Sequence, residues 1–130
     1  MMLALLWVAL GGGLGSVSRF GLSQWVVRIT DKSFPYGILV VNVLGCLVIG
    51  ILIAFFQKQR VLDHFLTPHL QNFLIIGFLG GFTTFSSFSL EALWLFQKGE
   101  CLKAVVYIIA SVVISMLAVF LGFTLVARLT

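Results

Sequence analysis

Residues 80 to 89 read Gly80-Gly81-Phe82-Thr83-Thr84-Phe85-Ser86-Ser87-Phe88-Ser89, inside a window, Phe65 to Leu90, without Asp, Glu, Lys or Arg. Two glycines, five hydroxyls and phenylalanines at every third position are foreign to such surroundings, because a buried helix has no need of them. Glycine followed by a β-branched pair makes poor helix, so any helix here is expected to be interrupted. What the interruption means depends on the solvent around it.

That solvent is not water. The chain of 130 residues is 61% hydrophobic and 9% charged, whereas soluble domains are about 25% charged; its mean hydropathy is +1.18. Three more windows, Met1 to Ser18, Ser33 to Gln57 and Ala104 to Ala127, also lack Asp, Glu, Lys and Arg. Each window reaches the roughly 18 apolar residues that span a bilayer as a helix. The fold expected is an all-α, multi-pass membrane protein with four transmembrane helices, the third broken at mid-membrane. A β-barrel would need short alternating strands, which the pattern lacks. The first window has no basic leader and runs on past its glycines into Arg19 and Phe20, so it reads as a retained helix rather than a secretory signal.

Helix 1 is expected from about Leu3 to Val27, and helix 2 from about Tyr36 to Gln57 after the turn Thr30-Asp31-Lys32-Ser33 and Pro35. Lys58 to Leu70, with Asp63, His64, Pro68 and His69, is too charged to span and forms a connector. Helix 3 follows from about His69 to Phe96, Lys98-Gly99-Glu100 make the last loop, and helix 4 runs from about Leu102 to Ala127. Residues 1–130 thus form a single four-helix domain with no internal repeat, and any inverted symmetry must come from two chains.

The net charge of +4 is spread almost evenly: Lys58, Arg60 and Arg128 fall on one side, Arg28, Lys32, Lys98 and Lys103 on the other. Three against four gives the positive-inside rule almost nothing to act on, which fits a chain that inserts both ways and pairs with an inverted copy, or a small protein whose orientation is set by something else. Gly11, Gly12, Gly13, Gly15 and Ser16 in helix 1, and Gly45, Cys46 and Gly50 in helix 2, suit close helix contact. Cys46 and Cys101 have no spacing that indicates a disulfide framework or a zinc site.

Polar groups at membrane depth need a partner or a purpose. Arg19 is read near a helix end, reaching headgroups or a neighbouring carbonyl. Asn42 offers two N–H donors, to an anion or to another helix. Tyr107, Ser111 and Ser115 recur one turn apart on one face of helix 4, as the wall of a wet path or as back-bonds to helix carbonyls. Phe82, Phe85 and Phe88 form a ridge whose ring edges carry the positive end of the quadrupole, although aromatic packing also explains it. Carbonyls freed at a break suit a hard cation such as sodium. Thr84, Ser87 and Glu91 share a face, and Glu91 is the one acid flanked by apolar helix on both sides.

Taken together, Gly12-x-x-Gly15-x-x-x-Arg19, Tyr36 to Gly45 with Asn42, the Gly77 to Glu91 string and Tyr107-x-x-x-Ser111-x-x-x-Ser115 resemble the Fluc (CrcB) family of small fluoride channels over essentially the whole chain. That resemblance implies antiparallel, dual-topology homodimers in the bacterial inner membrane, with two pores and a structural sodium ion at the dimer centre. It implies Phe85 and Phe88 as rings whose edges face fluoride, Asn42 as a pore donor, and Tyr107, Ser111 and Ser115 as a polar track. Ser86, Ser87 and Glu91 would stand beside the path, the carbonyls of Gly80 and Thr83 would hold sodium, and Arg19 would attract anions at a vestibule. Phe82 would merely pack. Passive fluoride export needs no catalytic residue and no nucleic-acid partner, only the lipid bilayer and a second copy. Two departures stand out: Ile38 where members often carry Thr, and Ser87 where they often carry Thr. Conduction is expected to survive both.

Three rivals fit less well. A proton-coupled multidrug exporter wants an acid in helix 1, which has none. A membrane enzyme would have only Asp63, His64 and His69 to work with, which read more simply as connector residues. A purely structural subunit leaves the polar stripes unexplained.

Overall fold

The computed structural model describes residues 1–59 and 68–128. Arg60, Asp63 and His64 of the expected connector lie outside the described residues. Among those described every regular element is a helix: α1 Met2–Ile29, α2 Tyr36–Gln59, α3 Pro68–Gln71, a π-helical segment Asn72–Leu79, α4 Gly80–Phe82, α5 Phe85–Gln97 and α6 Cys101–Arg128. Four spans, Met2–Ile29, Tyr36–Gln57, Pro68–Gln97 and Cys101–Arg128, are long and apolar enough to cross a membrane.

The surface agrees with that solvent. A compact soluble monomer of this mass exposes about 6,800 Å²; this chain exposes 8523 Å². Leu5, Leu10, Leu14 and Phe20 of α1, and Leu117, Phe120 and Leu121 of α6, are each more than half exposed. Hydrating apolar area costs roughly 25 cal/mol per Å², a cost absent in lipid.

Packing runs in two pairs, α2 on α6 and α1 on the π-helical segment and α4. Glycines set the spacing. A Cβ on Gly50 would strike the Val119 carbonyl oxygen, and one on Gly122 would strike that of Leu47, so α2 and α6 approach backbone to backbone. On α1, Gly11 and Gly15 stand in the same relation to the carbonyls of Phe73 and Phe78, while a Cβ on Gly81 would lie 2.5 Å from the Gly12 oxygen.

Gly81 is therefore a packing residue, and the two glycines are helical, with Gly80 at φ −64 and ψ −36. The residues that leave the helix are the β-branched pair, Thr83 at φ −78, ψ 154 and Thr84 at φ −152, ψ 117. β-Branched side chains tolerate extended backbone well, so the departure falls on them rather than on the glycines.

Loop chemistry is local. Asp31 accepts from the Ser33 amide at 3.0 Å and the Ser33 hydroxyl at 2.5 Å; these bonds hold its exposed carboxyl below the usual carboxylate range. At the far end of α5, Gly99 takes φ 76, the Gly99 amide bonds Phe96 at 3.0 Å and the Glu100 amide bonds Leu95 at 2.9 Å. This is a Schellman turn, for which glycine suits the left-handed position. Glu100 then pairs with Lys103 at 2.7 Å.

Candidate ion path

The Thr83 amide keeps its helical bond to the Leu79 carbonyl at 2.9 Å, whereas Thr84 loses its helical partners and Asn42 of α2 replaces them. The Thr84 amide donates to Asn42 Oδ1 at 2.8 Å, and Asn42 Nδ2 donates to the Thr84 carbonyl at 3.1 Å. Thr84 Oγ1 accepts from the Ser87 amide at 3.1 Å, capping α5. It also lies 3.1 Å from the Ser86 hydroxyl and 3.2 Å from that of Ser87. Helical spacing puts Thr84 on a face with Ser87 and Glu91, but Thr84 is not among the residues expected to form the site. It is buried at 6% exposure and sits at the centre of this network. The sequence signal was a Thr three residues before Ser87 at a helix start.

These bonds free two carbonyls. In a continuous helix the Thr84 amide would serve Gly80 and the Ser87 amide would serve Thr83. Here the donors go to Asn42 and to Thr84 Oγ1, and neither carbonyl accepts a hydrogen bond among the described residues.

Beside the network lies a groove of ≈ 270 Å³. Asn42, Phe85, Phe88, Ser111 and Ser115 line it, with Thr83 and Thr84. The two rings have centroids 5.3 Å apart and are inclined by 51°. Phe88 is 7% exposed and Phe85 76%, so one ring belongs to the core and the other projects from the chain's surface. Phe82 instead stacks on Phe78 with centroids 6.0 Å apart, a packing contact.

The family described as "CrcB-like protein, Camphor Resistance (CrcB)" matches residues 6–123. The chain belongs to the CrcB family. A relative from Francisella philomiragia subsp. philomiragia, "Fluoride-specific ion channel FluC", is 47% identical over 123 residues, 95% of this chain and 94% of its own. Relatives of the same name from Rhizobium etli and Francisella tularensis subsp. mediasiatica are each 46% identical, covering 98% and 97% of this chain and 99% and 96% of theirs.

In this CrcB chain the helix 4 stripe turns inward. Tyr107 is fully buried, Ser111 is 5% exposed, and Ser115 is half-buried. None of the three back-bonds to a helix carbonyl among the described residues; Ser111 Oγ is buried without a hydrogen bond, and Tyr107 Oη donates to Glu91 Oε2 at 2.8 Å. Tyr107 also meets Phe88 with centroids 5.3 Å apart, which links the groove to a second cavity.

That cavity, ≈ 300 Å³, is lined by Arg19, Ile38, Ser87 and Glu91 among others. Arg19 corrects an expectation. It lies in the interior of α1, which continues to Ile29, and not near a helix end; its side chain shares a cavity with Glu91 without forming an ion pair. Ile38, 7% exposed, belongs to the apolar cluster with Phe88 and Tyr107. Ser86 lines neither cavity and is held by the Thr84 hydroxyl. Cys46 and Met116, which sequence reading did not assign to the path, stand in the groove wall.

Proposed function

We propose that this chain is a fluoride-selective channel that lets fluoride leave the cell passively. The observation that carries the reading is the groove, where an amide, two phenyl rings and two serine hydroxyls converge. Fluoride is small and strongly hydrated, so a pore must replace water with donors without holding the ion fast. Asn42 spends one Nδ2 hydrogen on Thr84 and keeps the other, because a carboxamide carries two. Ser111 has an unspent hydroxyl, and the edges of Phe85 and Phe88 contribute weak positive charge. The names of the relatives support fluoride as the ion.

The working unit in this reading is an antiparallel, dual-topology homodimer in the bacterial inner membrane, with two pores and helix 3 broken at mid-membrane. Phe85, three-quarters exposed on one subunit, supports a second copy that covers it. The freed carbonyls of Gly80 and Thr83 fit a hard cation, since carbonyl oxygen is its preferred donor. One chain supplies too few such oxygens, and two chains supply a set. Sodium would then contribute positive charge that ties the two copies together.

The test is halide efflux from liposomes containing the purified protein. Fluoride is expected to leave while chloride stays inside; equal leakage of both, or of neither, sinks the reading. Cysteine labelling of an introduced loop site in intact cells is expected from both faces, and labelling from one face alone removes dual topology.

A further inference from the structure

We propose that the groove is also a binding site for a soft monovalent cation such as silver or copper(I), held between the Cys46 thiolate of α2 and the Met116 thioether of α6. Both sulfur residues line the same ≈ 270 Å³ space as Asn42, Phe85 and Phe88. Nothing in fluoride permeation calls for sulfur, because fluoride is a hard anion whose partners are N–H and O–H groups. The effect on flux rests on the fluoride-channel reading; the binding does not.

Helix packing brings the two sulfurs to one place. α2 and α6 run in the same direction, with Ile38 clustered with Ala104 and Tyr107 at one end and Gly50 against the Val119 backbone further along. Cys46 lies four residues before Gly50 and Ser115 four before Val119, about one helical turn in each case, so the two face each other in the next layer. The Cys46 thiol accordingly stands beside the Ser115 hydroxyl and is free of any disulfide. Met116 follows Ser115 and is more than half exposed, an unbranched side chain with the freedom to close over the groove. A further observation is independent of sulfur. Ser111 Oγ is buried in the same wall without a hydrogen bond, at 5% exposure, so the groove holds an oxygen that an occupant would engage.

A thiolate with a thioether selects a soft closed-shell ion, whereas sodium, magnesium and calcium take oxygen. Such an ion is satisfied by two sulfurs in line, and the hydroxyls of Ser111 and Ser115 add weaker oxygen contacts. Binding forms a metal–sulfur bond at Cys46 and releases the thiol proton to water. The thiolate then cancels the charge of the cation, and no oxidant or reductant takes part. The bound ion occupies the space in which Asn42 and Ser111 would meet fluoride, and it does not exchange its sulfurs for so hard an anion. Fluoride flux therefore stops while the ion is bound.

The experiment measures fluoride efflux from liposomes in chloride-free nitrate medium, with and without about 10 μM silver nitrate. Wild type, C101S, C46S and M116L are each compared with their own silver-free rate. Silver is expected to slow wild type and C101S at least about tenfold, reversibly on adding dithiothreitol, and to leave C46S within about twofold of its own rate. M116L should need about tenfold more silver for the same block, the loss of one soft ligand. Native mass spectrometry in detergent gives a readout apart from flux: C101S should carry one silver ion per chain and C46S/C101S none. Equal block of C46S and wild type, or silver retained by C46S/C101S, overturns the site. So does an M116L variant as sensitive as wild type, since one sulfur is then enough. A wild type that passes no fluoride overturns the channel reading instead, and the silver count on C101S still decides the site.

Discussion

Asn42 and Thr84, 42 positions apart in the chain, bond each other twice, amide to side-chain oxygen at 2.8 Å and side-chain amide to carbonyl at 3.1 Å. A side chain on α2 thereby replaces backbone partners that Thr84 on the third span gives up. Asn42 also lines the groove, so one residue holds the interruption and, in the channel reading proposed above, would present a donor to an ion.

Asn42→Asp separates these roles. Aspartate still accepts from the Thr84 amide but cannot donate to the Thr84 carbonyl, and it places negative charge in the groove. Stability should fall by about 1–3 kcal/mol and fluoride efflux by far more than tenfold. Denaturant titration and liposome flux measure the two; normal flux would remove Asn42 from the path.

The two groove rings should respond differently. Phe88 is buried, and Phe88→Ala should cost about 3–5 kcal/mol. Phe85 projects from the chain's surface, and Phe85→Ile should stop most flux with a much smaller shift in Tm. Comparable thermal shifts for the two variants would contradict the split between core ring and projecting ring.

Tyr107→Phe deletes the hydroxyl that donates to Glu91 and leaves Oε2 without that donor, at about 1–3 kcal/mol. Glu91→Gln keeps an acceptor for Tyr107 and should cost less. Unfolding midpoints order the pair, and a larger loss for Glu91→Gln would show that the charge, rather than the hydrogen bond, matters for the fold.

Gly122→Val forces α6 away from α2, because its added carbons meet the Leu47 backbone, which has no freedom to yield. A loss of about 1–3 kcal/mol or more is expected. Gly13→Ala serves as the control, since a Cβ at Gly13 meets nothing within 4 Å, and it should be neutral or gain about 0.5–1 kcal/mol from helix propensity. Similar effects at the two sites, read by thermal denaturation in detergent, would refute the backbone contact.

Much of this protein could be read along the chain. Charge-free windows gave the four spans because transfer into lipid depends mainly on local composition and length. The hydroxyl spacing of Tyr107, Ser111 and Ser115 gave a shared face because helical periodicity is a local property. Where the backbone would leave the helix was only half legible: the sequence pointed to Gly80-Gly81 and Thr83-Thr84 together. Glycine signals either flexibility or close approach, and only the contact between Gly81 and Gly12 shows which applies.

Three-dimensional contact decided the rest. Nothing in sequence spacing joins Asn42 to Thr84, or turns Arg19 from an expected helix end toward the cavity it shares with Glu91. Nor does it bring Cys46 and Met116 to one groove. Span placement follows from hydrophobic transfer, a property each segment has alone. A hydrogen bond or an unpaired charge depends on which neighbour lies within a few ångströms, and that is settled only when α1, α2, α5 and α6 pack together.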